Sequence, residues 1–139
     1  MYNKNFSKEP TEKQKIGQIG EDRACEYLEK NGYGVIERNY LKKWGEIDIV
    51  AKKASKIHFI EVKSVSRNLE DVTHVTKDTY NPEDNMHPWK LERLGRAVQS
   101  YLLDRNVPDE VEWQFDLVTV YIDMNKRLSR VEIMEDLVL

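Results

Sequence analysis

The sequence is short of nearly everything that would staple or anchor a chain. One cysteine, Cys25, among 139 residues excludes an internal disulfide framework and suits a reducing compartment. No run of about 18 apolar residues occurs, so nothing reads as a membrane span. The opening stretch, MYNKNFSKEPTEKQK, has no apolar core of the kind a secretory signal needs, and a cytoplasmic protein is expected. Positive charge is not in excess either. The formal net charge is −3, which argues mildly against a nucleic-acid ligand, since most such binders carry a basic balance. The three histidines, His58, His74 and His87, show no metal-ligand spacing.

What is present suits one soluble domain. Apolar residues make up 40% and charged residues 34%, and a chain near this length buries roughly 70% of the surface its unfolded form exposes. Lysines and arginines gather at Lys42-Lys43, at Lys52, Lys53 and Lys56, along Lys90, Arg93 and Arg96, and at Lys126, Arg127 and Arg130. Each cluster alone is ordinary solvated surface, and gains meaning only if several converge in space.

Residues 1–13 are polar and unpatterned, and a flexible tail is expected there, with a single domain over 14–139. From Gln14, the residues Ile16, Ile19, Ala24, Tyr27 and Leu28 form a helical stripe that Asn31-Gly32 should end. YGVIERNY reads as a strand, LKKWG as a loop, and EIDIVA and IHFIEVKS as two further strands joined by KASK. The segment 65–87 has no period and is rich in breakers, so a long loop or insertion is expected. Pro88 opens a second helix carrying Leu91, Leu94, Val98, Tyr101 and Leu102. VEWQFDLVTVYI then reads as a central strand, and RVEIM as a last one. The order is α-β-β-β-α-β-β, a mixed α/β domain.

The charges inside the strands carry the chemistry. Glu61 and Lys63 share a strand face, about 7 Å apart along the chain. Asp48 lies on the preceding strand, opposite in direction to Ile47 and Ile49. If Lys53 to Lys56 form a four-residue hairpin loop, Lys52 pairs with Ile57 and Asp48 falls opposite Glu61. Cross-strand Cβ atoms lie about 5 Å apart, and two carboxylates that close repel unless a cation sits between them. Mg²⁺ takes one or two carboxylates and fills its other positions with water and phosphate oxygens. It would lower the pKa of water and offset charge on a phosphoryl transition state. A nearby ammonium would orient that water. Any one of these residues alone is more often a solvated strand face or a cross-strand ion pair; the joint pattern is what points to a metal.

That pattern resembles the PD-(D/E)xK superfamily of restriction-endonuclease-like nucleases, whose core runs α-β-β-β-α-β with a mixed sheet flanked by helices. It is most similar to the small YraN-like bacterial proteins, which in turn look like archaeal Holliday junction resolvases. The shared features are Gly20-Glu21, Gly32-Tyr33, Arg38-Asn39, Gly45 to Ile49, and Ile60 to Lys63, with KLERLGRAVQSYL and FDLVTV resembling a later helix and strand. By the resemblance, Asp48 and Glu61 are metal ligands, Lys63 is the catalytic lysine, and Glu21 is the helix-borne acid brought toward the metal. Read on its own, Glu21 is a surface glutamate among Gly17, Gly20 and Ala24, small residues that would let the helix approach the sheet. The family commonly carries an arginine two residues after the lysine. Here that position is Val65, and Arg67 is the nearest replacement.

The other candidates are more ordinary. Cys25 reads as a small buried hydrophobe, and His58 as packed or exposed. Trp89 could stack on a base, although packing at the helix start is the commoner role. Lys90, Arg93 and Arg96 could track a phosphate backbone. Asp116 needs a buried partner that the sequence does not name. The first expectation is therefore a Mg²⁺- or Mn²⁺-dependent endonuclease acting on DNA, including branched or structured DNA, with no membrane role. A homodimer would suit a two-stranded substrate. The alternatives are a nucleic-acid-binding module of the same fold without turnover, and a protein-interaction domain using the acidic 65–87 segment.

Overall fold

The computed structural model describes residues 9–67 and 86–139. His74 and the acids Glu70, Asp71, Asp78, Glu83 and Asp84 of the expected loop lie outside them. Helix α1 spans Glu12–Lys30. It starts two residues before the apolar period shows, because Thr11 caps it: the Gln14 N–H donates to the Thr11 hydroxyl at 3.1 Å, and the Thr11 N–H donates to the Gln14 side chain at 2.9 Å. The expected tail is thus too long at its C-terminal end. Asn31 caps the other end and Gly32, at φ 90°, turns the chain, as the Asn-Gly pair implies.

Strands β1 (Gly34–Lys42), β2 (Gly45–Lys53) and β3 (Lys56–Ser66) form an antiparallel meander. Helix α2 (Pro88–Asp104) crosses over to β4 (Trp113–Asp123), which runs parallel to β3, and β5 (Leu128–Leu137) returns antiparallel to β4. The sheet order is β1-β2-β3-β4-β5, and the sequence of elements is the one expected. Three expectations shift. Leu41 and Lys42, read as part of the LKKWG loop, pair as strand with Glu46 and Gly45. Val65 and Ser66 pair with Tyr121 and Ile122, so the 65–87 segment begins as strand. The β2–β3 connection has two residues, not four: Ala54 and Ser55 sit at φ 51° and 69°, as in a type I′ turn, and the register keeps Lys52 opposite Ile57.

The helices cover opposite faces of the sheet. Ala24 and Leu28 of α1 pack on Ile49, Ala51, Ile60, Val118 and Val120. Leu94, Ala97, Val98 and Tyr101 of α2 pack on Tyr40, Ile47, Val50, Phe59 and Phe115. Strand β4, apolar on both sides, is buried nearly throughout, as a central strand should be. Its one fully buried acid, Asp116, has partners on three sides. His58 Nδ1 lies 2.7 Å away, Gln114 Nε2 donates at 2.7 Å, and the Asp136 N–H donates at 2.9 Å. That network accounts for both the buried acid and the buried histidine. Cys25 is buried, as expected. Among the described residues no helix is long and apolar enough to cross a membrane.

Candidate active site

The sheet opens at Asp48. Pairing between β2 and β3 ends at Ile49–Ile60, one step before Asp48 would meet Glu61. The Asp48 carboxylate takes the place of the missing ladder: its Oδ2 accepts the Val62 N–H at 2.8 Å. Alternation breaks at the same point, with Ile47 in the core under α2 and Ile49 in the core under α1. Ile47 and Ile49 therefore do not share a face, contrary to the simple alternation of the sequence reading. Asp48 stands in the gap and lines a depression on each side of it.

Towards α1 the depression is an open cleft of about 710 Å³, lined by Glu21, Asn39, Glu46, Asp48, Lys63 and Ser64 among others. Gly20 lets α1 come this close, since a side chain there would collide with Ser64; Gly17 faces open space and plays no such part. Glu21, the next residue, is carried into the cleft wall. Its Oε1 accepts from Arg38 at 2.6 Å and from Asn39 at 3.3 Å. Two successive strand residues reach one carboxylate because Asn39 is left-handed, at φ 55°. Non-glycine residues are uncommon there, asparagine being among the most tolerant.

Towards α2 the depression is smaller, about 280 Å³, and holds Glu46, Asp48, Glu61, Trp89, Lys90 and Arg93. Glu61 is buried, and its Oε2 lies 2.9 Å from Lys90 Nζ and 3.9 Å from Lys63 Nζ. Burial, together with the charges of Glu61, Glu46 and Glu21, pushes Asp48 up to about 8 against the pull of the Val62 N–H. Burial raises Glu46 as well, with Glu21 and Glu61 adding to it. Lys63 is held below its usual value by burial and by its hydrogen bond to Lys90. Burial works against the Lys90 ammonium too, yet the hydrogen bonds to Lys63 and Glu61 outweigh it and raise Lys90.

The site thus brings together Glu21, Asp48, Glu61 and Lys63, with Lys90 and Arg93 from the phosphate candidates. The other two lie elsewhere. Arg67 sits 5.3 Å over the Tyr121 ring, and Arg96 lines a separate groove with Trp44 and Trp113. Three residues that the sequence reading held only as positions of the family pattern, with no role at the site, also take part: Glu46, Arg38 and Asn39. Glu46 carried a signal, since it lies two residues before Asp48 on the same strand. Arg38 and Asn39, as the clamp on Glu21, had none at short range.

The donor set suits a hard divalent cation. Asp48 and Glu61 offer carboxylate oxygens in one depression, beside the amines of Lys63 and Lys90. Among the described residues no three acid, histidine or cysteine side chains gather as a ready ligand set. Two carboxylates are what Mg²⁺ usually takes from a protein.

A family model described as "Uncharacterised protein family UPF0102" matches residues 20–120. A UPF0102 protein of Campylobacter lari is 36% identical over 116 residues, covering 84% of this chain and 92% of its own. One from Campylobacter jejuni strain 81-176 is 34% identical over 108 residues, covering 78% and 85%. A UPF0102 protein of Flavobacterium johnsoniae is 32% identical over 112 residues, covering 79% and 84%. The chain belongs to the UPF0102 family, the YraN-like family of the restriction-endonuclease-like superfamily.

Proposed function

We propose that this UPF0102 chain is a metal-dependent phosphodiesterase acting on DNA. In this reading Asp48 and Glu61 hold the cation, Lys63 handles the proton of the attacking water, and Glu21 forms the opposite wall. The observation that carries it is the charge pattern in the gap between β2 and β3. A carboxylate pushed up to about 8 stands beside a second, buried one, and two amines share that second carboxylate. A purely structural ion pair needs neither the surplus acid nor an opening to solvent. The choice of DNA follows from membership in a nuclease-like superfamily.

When bound, a hard divalent cation contributes Lewis acidity towards water and counter-charge towards phosphate. The chain's own residues do the rest. Lys63, held below its usual pKa beside the Lys90 ammonium, is suited to take a proton from water and return it to the leaving oxygen. Lys90 lies 2.9 Å from Glu61, close enough to the site that its ammonium would also serve a phosphate oxygen held there. Arg93 lies at the lip of the same depression, its Nε anchored to the Trp44 carbonyl at 2.7 Å.

The test is cleavage of single-stranded, duplex and four-way-junction DNA in Mg²⁺ or Mn²⁺. The native chain should cut at least one of these. Asp48→Ala, Glu61→Ala and Lys63→Ala should each lose roughly 10²-fold or more. Lys90→Met should separate two effects, tightening cation binding while weakening DNA binding. A native chain that cuts none of the substrates, or an Asp48→Ala chain that cuts as well as native, would overturn the reading.

A further inference from the structure

Trp89 does not pack at the start of α2, as the sequence reading favoured; 59% of it is exposed. Exposing a tryptophan forgoes much of the most valuable apolar burial a chain can make. Of the large exposed apolar side chains among the described residues, Trp89 alone lines the depression that holds Asp48 and Glu61. Its ring is nearly parallel to that of His87, the residue that caps α2, at 6° with centroids 6.4 Å apart, so the two form an offset stack at the helix start that borders the site. The next residue, Lys90, is the one bonded to Glu61.

We infer that the His87–Trp89 stack is a platform for an unpaired nucleobase whose neighbouring phosphate lies at Asp48 and Glu61. The chemistry required is a π face beside a cation-lined phosphate path, which is how single strands are held without sequence preference. Lys90 and Arg93 supply the cations, and the Trp89 ring supplies the face. A base inside an intact duplex is stacked on its neighbours and cannot use such a platform. The substrate class is therefore DNA with a free or splayed base next to the scissile phosphate: a single strand, a flap, or the unpaired part of a junction. This inference rests on the phosphodiesterase reading above.

The test is equilibrium binding of a labelled oligothymidylate and of a blunt duplex of equal length, with Ca²⁺ replacing Mg²⁺ so that binding is read without turnover. The native chain should prefer the single strand. Trp89→Ala should weaken single-strand binding roughly five- to a hundredfold and leave duplex binding unchanged. Trp89→Phe, which keeps a π face, should retain most of the affinity. Loss in Trp89→Ala without rescue by Trp89→Phe, equal loss on both DNAs, or no loss on either would overturn the platform while leaving the phosphodiesterase reading standing. A native chain that binds neither DNA, even at low salt, would remove that reading and the platform together.

Discussion

Asp48 is the residue on which the site turns, and its protonation gives a sign that can be checked. Its carboxyl is raised from 3.8 in the unfolded chain to about 8 in the fold. A raised carboxyl favours the folded state when protonated. The stability it contributes is therefore fully present below about pH 4 and is lost as pH rises towards 8. Asp48→Asn keeps the shape and removes the charge. In buffer containing a chelator, the variant should match the native chain at the acid end and exceed it by roughly 1–3 kcal/mol near neutrality. Urea melts across that pH range would show it, and a variant less stable than native at neutral pH would contradict it. The same substitution should abolish cation binding, so stability and function pull in opposite directions at this position.

At the scale of elements, the site depends on how closely α2 sits against the start of β2. A Cβ at Gly45 would lie 2.8 Å from the Arg93 carbonyl oxygen, a backbone atom that cannot swing aside. Gly45→Ala should therefore move α2 outward, at a cost of roughly 1–3 kcal/mol, and lengthen the Lys90–Glu61 contact that the helix carries. Cleavage should fall further than the loss of folded protein explains; equal losses would mean that α2 placement is not critical. The elements themselves were legible because they announce themselves locally. Apolar period, the Asn31-Gly32 stop and Pro88 located both helices, and strand-like runs between turn residues located the strands, β4 by being apolar on both faces. The Ala54-Ser55 turn was not legible, because neither residue is the glycine or asparagine that usually marks a type I′ turn. Nor was the break at Asp48. Alternation describes an unbroken ladder, and only the lost pairing beyond Ile49–Ile60 shows that the ladder stops. The Arg38 and Asn39 clamp on Glu21 and the Lys90 contact with Glu61 are tertiary. They join residues that no local pattern connects.

For the whole molecule, the decisive quantity is where the ionisable groups gather, not the net −3. In the gap between β2 and β3, Glu46, Asp48 and Glu61 meet Lys63, Lys90 and Arg93, and burial beside the other acids keeps the Asp48 carboxyl protonated up to about 8. Such a pocket should take up a hard cation, and at about pH 7 it should surrender a proton as it does so. Calorimetric titration of Mn²⁺ or Mg²⁺ into the native chain, in two buffers of different ionisation enthalpy, reads affinity and proton count together. One cation should bind with release of about one proton, and both should be absent in Asp48→Ala with Glu61→Ala. No binding by the native chain, or binding that survives both substitutions, would contradict it.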